Sequence, residues 1–203
     1  MAPVNINVPG IKSAMESVHT CLEDMLVQFD KMNEALDTVA NAHKSENSAM
    51  IQHDIAKIDE DLREAYKAMK ETHSEVYQKG NALLQRAGEA PIAEPETPAP
   101  WAARSPGRNS GDDIVYDPQA MAHYEEAHAS AQQAGTIVTE INDLFQNKIP
   151  VAFDSQASTS IVAHQGEITK NFDEAHQGLL KLLGETAPGE MDELFALDRQ
   201  LGS

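Results

Sequence analysis

Apolar residues recur along the first part of the chain at alternating intervals of three and four, the spacing of helices that each bury one stripe. The first series is Val18, Leu22, Met25, Phe29, Met32, Leu36 and Val39. The second series is Ile51, Ile55, Ile58, Leu62, Ala65, Met69, Val76 and Leu83. Because only the polar residues 41–47 separate them, we predict two long helices that form an antiparallel hairpin.

The second part of the chain repeats this organisation. A third series comprises Ala127, Ser130, Ala134, Ile137, Ile141 and Leu144, and a fourth comprises Ile161, Ile168, Phe172, Ala175, Leu179 and Leu183. We expect a turn between them near residues 149–151, where Pro150 stands. After Pro188 and Gly189, the apolar residues 191, 194, 195, 197 and 201 predict a short fifth helix.

A proline-rich stretch divides the two hairpins. The predicted domains are residues 1–88 (first hairpin), 89–113 (linker), 114–187 (second hairpin) and 188–203 (amphipathic tail). The composition of the linker predicts an extended, solvated segment. It contains Trp101, the single tryptophan, which either pins the linker onto the helices or anchors a partner.

The two hairpins align as a diverged internal duplication at an offset of about 110 residues, which places residues 62–66 on residues 172–176. We therefore predict an all-α protein whose hairpins form one four-helix bundle, an intramolecular pseudo-dimer. Such packing requires the chain to return along a helix of about 48 Å. The stretch from about residue 89 to residue 116, roughly 28 residues, reaches roughly 85 Å when extended, which is sufficient.

Charge excludes some partners. The 203 residues include 15 basic and 33 acidic side chains, a formal charge of −18, which repels nucleic acids and anionic membranes. Cys21 is the only cysteine, so an internal disulfide is impossible. The first ten residues lack the features of a signal peptide, and no apolar stretch is long enough to predict a membrane span.

The candidate catalytic and metal-binding residues are better explained as ordinary surface or core residues. Glu16-x-x-His19 and Glu125-x-x-His128 have the spacing of di-iron sites in helical bundles, but the apolar stripes turn both glutamates away from the core. Cys21 lies beside a stripe and is expected to act as a small buried apolar residue. We predict no catalytic residue, metal site or cofactor, and hence no enzyme.

Histidine is the remaining titratable candidate. The eight histidines include His43, His164 and His176, and together they would lower the net negative charge between pH 7 and 5. The default interpretation is scattered surface histidines, with a sensor of acidic pH as the alternative. Residues 173–176 are likewise expected to form a solvated face beside buried Phe172 and Ala175.

Paired hairpins, a proline in the first helical turn and short polar apexes resemble the WXG-motif, or ESAT-6-like, proteins of type VII secretion. This family carries Trp-x-Gly at the hairpin apex. The corresponding residues here are Phe153, Ser155 and Ala157 at the second apex, and His43 and Ser45 at the first. The resemblance covers nearly the whole chain and implies two family units fused in tandem.

The resemblance implies a non-enzymatic protein that is secreted, or displayed at the cell surface, by a type VII system of an actinobacterium or its phage. The implied partners are its own second hairpin, a type VII secretion ATPase or another WXG-like protein. However, none of the four tyrosines begins the family export signal, Tyr-x-x-x-Asp/Glu. The alternatives are a cytoplasmic helical-bundle adaptor or structural protein that is not exported, and a membrane-active oligomer at acidic pH.

Overall fold

The computed structural model describes residues 6–105, 114–153 and 156–202. The first part comprises α1 (Val8–Ala42), the two-residue strand β1 (His43–Lys44) and α2 (Glu46–Arg86). The second comprises β2 (Val115–Tyr116), α3 (Gln119–Asp143), α4 (Ile149–Phe153), α5 (Gln156–Lys181) and α6 (Ala187–Leu201). The described residues thus form an all-α helical bundle with four long helices, which confirms the predicted fold class.

The apolar stripes form the core of these helices. All seven residues of the first series are buried, as are all of the second except Ile58, which is half-buried. The third and fourth series are buried except for Ser130 and Ala175, which are half-buried. The alternating spacing therefore identified the buried face of each helix.

Helix starts follow the local sequence. Asp117 caps α3, because its carboxylate accepts a hydrogen bond from the Gln119 amide at 2.9 Å, and Pro118 occupies the first turn, where no amide donor is needed. Ser45 precedes α2 and accepts a hydrogen bond from the Ser48 amide at 2.9 Å through its hydroxyl. The residue predicted as a small apex residue is thus a helix cap.

The expected turn at residues 149–151 is wrong. A π-helical segment, Leu144–Lys148, connects α3 directly to α4, so the chain stays helical through Phe153. A second such segment, Leu182–Thr186, connects α5 to α6. Both segments lie just before a proline, Pro150 or Pro188. Because proline lacks an amide hydrogen and crowds the preceding turn, the wider π turn lets the helix continue across it.

With this continuation, the two halves of the chain correspond in helix length. Segments α3, Leu144–Lys148 and α4 contain 25, 5 and 5 residues, which together equal the 35 residues of α1. The predicted fifth helix, α6, exists but is a continuation of α5 through the π segment rather than a separate element.

The short β ribbon was not predicted. Strands β1 and β2 pair antiparallel, with His43 opposite Tyr116 and Lys44 opposite Val115. The Asp117 amide extends this ladder by donating to the carbonyl of Ala42 at 2.8 Å. Two-residue strands carry no periodicity, so a sequence pattern cannot identify them.

By its contacts the chain divides into two compact units, and each contains segments of all four long helices. The first unit comprises Met1–Leu26, Glu64–Pro100 and Thr136–Phe172, and the second comprises Val27–Arg63, Trp101–Gly135 and Asp173–Ser203. In the described part of the chain, no helix is long and apolar enough to cross a membrane.

Contacts within each unit show the directions of neighbouring helices. In the first unit, the rings of His19 in α1 and His73 in α2 lie 5.3 Å apart, whereas Gly80 lies against Ile11 and Met15. In the second unit, His176 of α5 binds the carbonyl of Ala131 in α3, whereas Gly184 lies against His128. In both pairs the residue numbers run in opposite directions, so α1 and α2 are antiparallel, and so are α3 and α5.

Candidate functional site

The best-formed polar site in the described residues surrounds His43, at the junction of α1 and α2. His43 Nδ1 lies 3.0 Å from the hydroxyl of Tyr124 in α3, and Nε2 lies 3.0 Å from Oε2 of Glu190 in α6. The Ser45 hydroxyl donates to the other carboxylate oxygen of Glu190 at 2.6 Å. We call His43, Ser45, Tyr124 and Glu190 the His43 cluster.

Protons in the His43 cluster can be placed from its geometry. The carboxylate of Glu190 favours a proton on His43 Nε2, which leaves Nδ1 to accept the hydrogen bond of the Tyr124 hydroxyl. Nε2 and Oε2 approach closely but at an angle outside that of a good hydrogen bond. The aligned hydrogen bond that fastens Glu190 is therefore the one from the Ser45 hydroxyl.

Burial controls the titration of the His43 cluster. It lowers the pKa of His43 below its ordinary value, and the nearby Glu190 carboxylate offsets only part of this effect. Burial also raises the pKa of Tyr124, and the charge of Glu190 raises it further. At neutral pH the cluster therefore holds a neutral imidazole and a neutral phenol, an arrangement that holds α6 against β1 rather than activating a nucleophile.

A second polar site holds the linker in place. The indole of Trp101 is only 2% exposed, stacks on Phe29 with ring centres 4.0 Å apart, and donates a hydrogen bond to Asp59 Oδ1 at 2.7 Å. Asp59 Oδ2 accepts a bond from the Arg104 amide at 3.3 Å, and the Trp101 carbonyl accepts one from Arg63 Nε at 3.0 Å. We call Phe29, Asp59 and Trp101 the Trp101 anchor.

The Trp101 anchor holds the linker against α1 and α2, which is the first of the two roles predicted for the tryptophan. Burial raises the pKa of Asp59, and the Trp101 and Arg104 hydrogen bonds partly offset that effect. Other linker contacts lie in the first unit: the Ile92 amide donates to Asn81 at 2.8 Å, and the Tyr66 hydroxyl donates to the Pro98 carbonyl at 3.2 Å. The linker is extended, but it is fastened at several points rather than fully solvated.

A third group surrounds His73, which is fully buried in α2. Its ring lies 4.7 Å from the Tyr77 ring, and Nδ1 lies 3.5 Å from a Glu94 oxygen of the linker. Among the described residues, neither ring nitrogen has an aligned hydrogen-bond partner. Burial lowers the pKa of His73, proximity to His19 lowers it further, and the Glu94 carboxylate offsets part of these effects.

Cys21 borders a groove of about 690 Å³ between segments of α1 and α3. Its walls carry four carboxylates, from Glu16, Asp24, Glu140 and Asp143. Burial raises the pKa of the Cys21 thiol to about 11, and the charges of Glu140 and Asp24 contribute. Because the thiolate is the reactive form, Cys21 is an inert thiol at neutral pH.

The predicted apex residues lie in different places in the structure. Phe153 is 2% exposed at the end of α4, and His43 is likewise buried. Ser155 and the side chain of Ala157 lie outside the described residues. Hence the structure places His43 and Ser45 in one polar cluster, and it places Phe153 in the core.

The expected surface positions of several histidines are wrong. His43, His73 and His176 are buried, and His176 Nε2 lies 2.6 Å from the carbonyl of Ala131. The small Gly135 leaves room for the His176 ring, which explains how a histidine enters the helix interface. Residues 173–176 therefore do not form a solvated face throughout.

The glutamates of the two Glu-x-x-His pairs, Glu16 and Glu125, are exposed, as their position relative to the stripes predicted. Within the described residues, no group of three or more histidine, cysteine, aspartate or glutamate side chains is arranged to hold a metal ion.

Sequence reasoning missed Asp59, Tyr124 and Glu190. Asp59 had a usable signal, because it follows Ile55 by four residues and precedes Leu62 by three, which places a carboxylate on the apolar stripe. Glu190 had no such signal, because it is one of several acidic residues in α6 and its burial depends on His43, which is distant in sequence.

The class of protein is therefore an all-α helical bundle with buried polar clusters that fasten its linker and its last helix. No protein-family model, curated protein or solved structure matches the chain.

Proposed function

We propose that this protein is a non-catalytic binding protein that acts through the surface of its helical bundle, and that it is a substrate or an associated protein of a type VII secretion system. The observation that carries the proposal is the pair of antiparallel long-helix hairpins in one chain, α1 with α2 and α3 with α5. This is the architecture that a fusion of two WXG-like units requires.

Contacts between α2 and α5 support an intramolecular pseudo-dimer. In the first unit the Thr72 hydroxyl donates to Gln165 Oε1 at 2.8 Å, with both residues buried. In the second unit Ile58 lies against Gly178. Within the first unit the Lys79 ammonium also donates to the Ser160 hydroxyl at 3.1 Å, so α2 and α5 run in opposite directions there. This direction is the one expected if each hairpin takes the place of the other's partner subunit.

The chemistry of the polar groups supports binding rather than catalysis. The Cys21 thiol has a pKa of about 11 and is not a nucleophile at neutral pH. In the His43 cluster, Nδ1 faces Tyr124 and Nε2 faces Glu190, so the imidazole is directed toward the fold itself. The thiol is therefore unreactive, and the imidazole serves to hold helices together.

One observation favours a second candidate, an adaptor that stays in the cell. The family export signal places an acidic residue four positions after a tyrosine, but the residues at those positions here are Lys70, Asn81, Ala120 and His128. An exported chain would then depend on a partner that carries the signal.

Culture-filtrate abundance separates the two candidates. The tagged chain is expressed in an actinobacterium with a functional type VII system and in an isogenic strain that lacks the secretion ATPase, with a cytoplasmic enzyme as the lysis control. The proposal predicts filtrate protein only in the first strain. Equal retention in both strains overturns export and leaves the adaptor, whereas equal release in both overturns the type VII assignment.

A further inference from the structure

We infer that an exposed leucine stripe on α6, formed by Leu194, Leu197 and Leu201, is a docking site for a basic amphipathic helix of a partner protein. The inference deepens the proposed function, on which it rests, by assigning the binding surface and the chemistry of its partner.

The stripe is an apolar face that the described residues leave partly exposed to solvent. Leu197 is 52% exposed and Leu201 is 79% exposed, whereas Leu194 is half-buried. The three residues are spaced by three and four, so they lie on one side of the helix. They follow Glu190 by 4, 7 and 11 positions, which puts them on the face that is buried at the start of α6 and emerges toward its end.

The rest of α6 is already engaged. Met191 is fully buried, and the Phe195 ring meets the ring of Tyr116 edge-on with centres 5.5 Å apart. Glu190 fastens the helix to the His43 cluster. The stripe is therefore presented by a helix that is held in place, which lowers the entropic cost of binding.

Charge defines the partner. Glu193 and Asp198 are exposed and flank the stripe on its two sides, because neighbouring helix positions are about 100° apart. The residues 187–201 carry four acidic side chains and a single basic one, Arg199. A helix with an apolar face between rows of lysine or arginine complements this surface in both hydrophobicity and charge.

The same charges disfavour other occupants. A second copy of this chain would bring Glu193 and Asp198 of its own against the stripe, and each chain carries a net charge of −18. An anionic lipid surface is repelled for the same reason. A basic helix, in contrast, is attracted by the carboxylates of Glu193 and Asp198.

A synthetic amphipathic peptide of about five turns, with leucine on one face and lysine on both flanks, is the probe. Binding to the full chain is measured by fluorescence anisotropy of a dye on the peptide. We expect saturable binding that weakens between about 50 and 500 mM salt, because salt screens the flanking charges. A wild-type chain that does not bind the peptide overturns the inference.

Leu197→Glu with Leu201→Glu separates docking from general attraction to an acidic protein. The double variant is more acidic, so non-specific attraction would hold or increase, whereas loss of the stripe should weaken binding by at least about tenfold. The matched control is Met50→Glu with Val151→Glu, since these residues are 62% and 70% exposed elsewhere, and it should bind like the wild type. Equal or tighter binding by the α6 variant overturns the inference.

Running the same variants through the culture-filtrate experiment distinguishes the two proposals. If wild-type export depends on the type VII system but the α6 variant binds the peptide normally, only the docking inference fails. If export does not depend on that system but peptide binding requires Leu197 and Leu201, the secretion assignment fails and the docking surface stands. Far-ultraviolet circular dichroism verifies that each variant retains its helices.

Discussion

At the scale of single residues, the Trp101 anchor joins an apolar contact to a buried polar one. Asp59 is 1% exposed, and its carboxylate depends on the Trp101 indole and the Arg104 amide for hydrogen bonds. Removing the donor leaves a buried carboxylate short of a partner, which costs more than the bond itself contributes. The anchor should therefore be sensitive to small changes in the tryptophan.

Trp101→Ala should lower the free energy of unfolding by about 3–5 kcal/mol, because it removes a buried aromatic side chain and leaves a cavity against Phe29. Trp101→Phe keeps an aromatic ring there but removes the donor to Asp59, and should cost about 1–3 kcal/mol. Urea unfolding followed by circular dichroism measures both. Equal stability of Trp101→Phe and wild type would show that the hydrogen bond contributes nothing.

His73 predicts how stability depends on pH. Its pKa is lowered in the folded state, so below about pH 6.5 the unfolded chain binds a proton that the folded chain does not. The free energy of unfolding should therefore fall as pH drops below about 6.5, by at most about 1.4 kcal/mol per pH unit from this residue. His43, with its pKa also lowered by burial, contributes in the same direction.

His73→Phe should raise stability and reduce this pH dependence, because an apolar ring replaces one whose two buried nitrogens lack aligned hydrogen-bond partners among the described residues. His73→Gln is the control, since it also removes the titration but keeps a polar group. Urea unfolding between about pH 7.5 and 5.5 gives the slopes. A slope unchanged in both variants would contradict a role for His73.

At the scale of helices, the contact of α3 with α5 depends on one glycine. Gly135→Ala would normally favour a helix, but its new Cβ would overlap the His176 ring and disturb the bond from His176 to the Ala131 carbonyl. We expect a loss of about 1–3 kcal/mol in thermal or urea unfolding. Gly166→Ala in α5 is the matched control, because its nearest contact would be 3.9 Å away, and it should stabilise by about 0.5–1 kcal/mol.

The helices show which parts of the fold the sequence could predict. The stripes of α1 and α2 were readable because each buried position follows from local spacing. Pro150 predicts a turn that does not occur, because the π segment that accommodates it depends on backbone bonding rather than on a residue pattern. The β ribbon was also beyond prediction, since it brings together residues that are distant in sequence.

The polar sites were predictable only in part for the same reason. His43, Ser45 and Trp101 were singled out from their local context, but their partners Glu190 and Asp59 were not. A buried polar residue is recognisable only through its partner, and one sequence does not show which residues are neighbours. Apolar periodicity predicts a helix from neighbouring residues, whereas each hydrogen-bond cluster joins residues that are far apart in the sequence.

At the scale of the whole molecule, the net charge of −18 opposes folding through self-repulsion. Raising the salt concentration from about 20 to 500 mM should stabilise the chain by about 1 kcal/mol, or roughly 2–4 °C in melting temperature. The same increase in salt concentration should stabilise a variant with the exposed Glu60 and Glu125 changed to lysine by a smaller amount. A melting temperature that falls with salt would mean that local ion pairs outweigh the repulsion.

The single tryptophan also makes the linker a reporter of its own position. Trp101 is stacked on Phe29 and shielded from solvent. Because it is the single tryptophan, the tryptophan fluorescence of the protein comes from the linker alone. A red shift that precedes the loss of helical ellipticity during unfolding would reveal undocking as a separate step. The fluorescence of Trp101 therefore reports whether the linker between the two hairpins is bound to the helices or released from them.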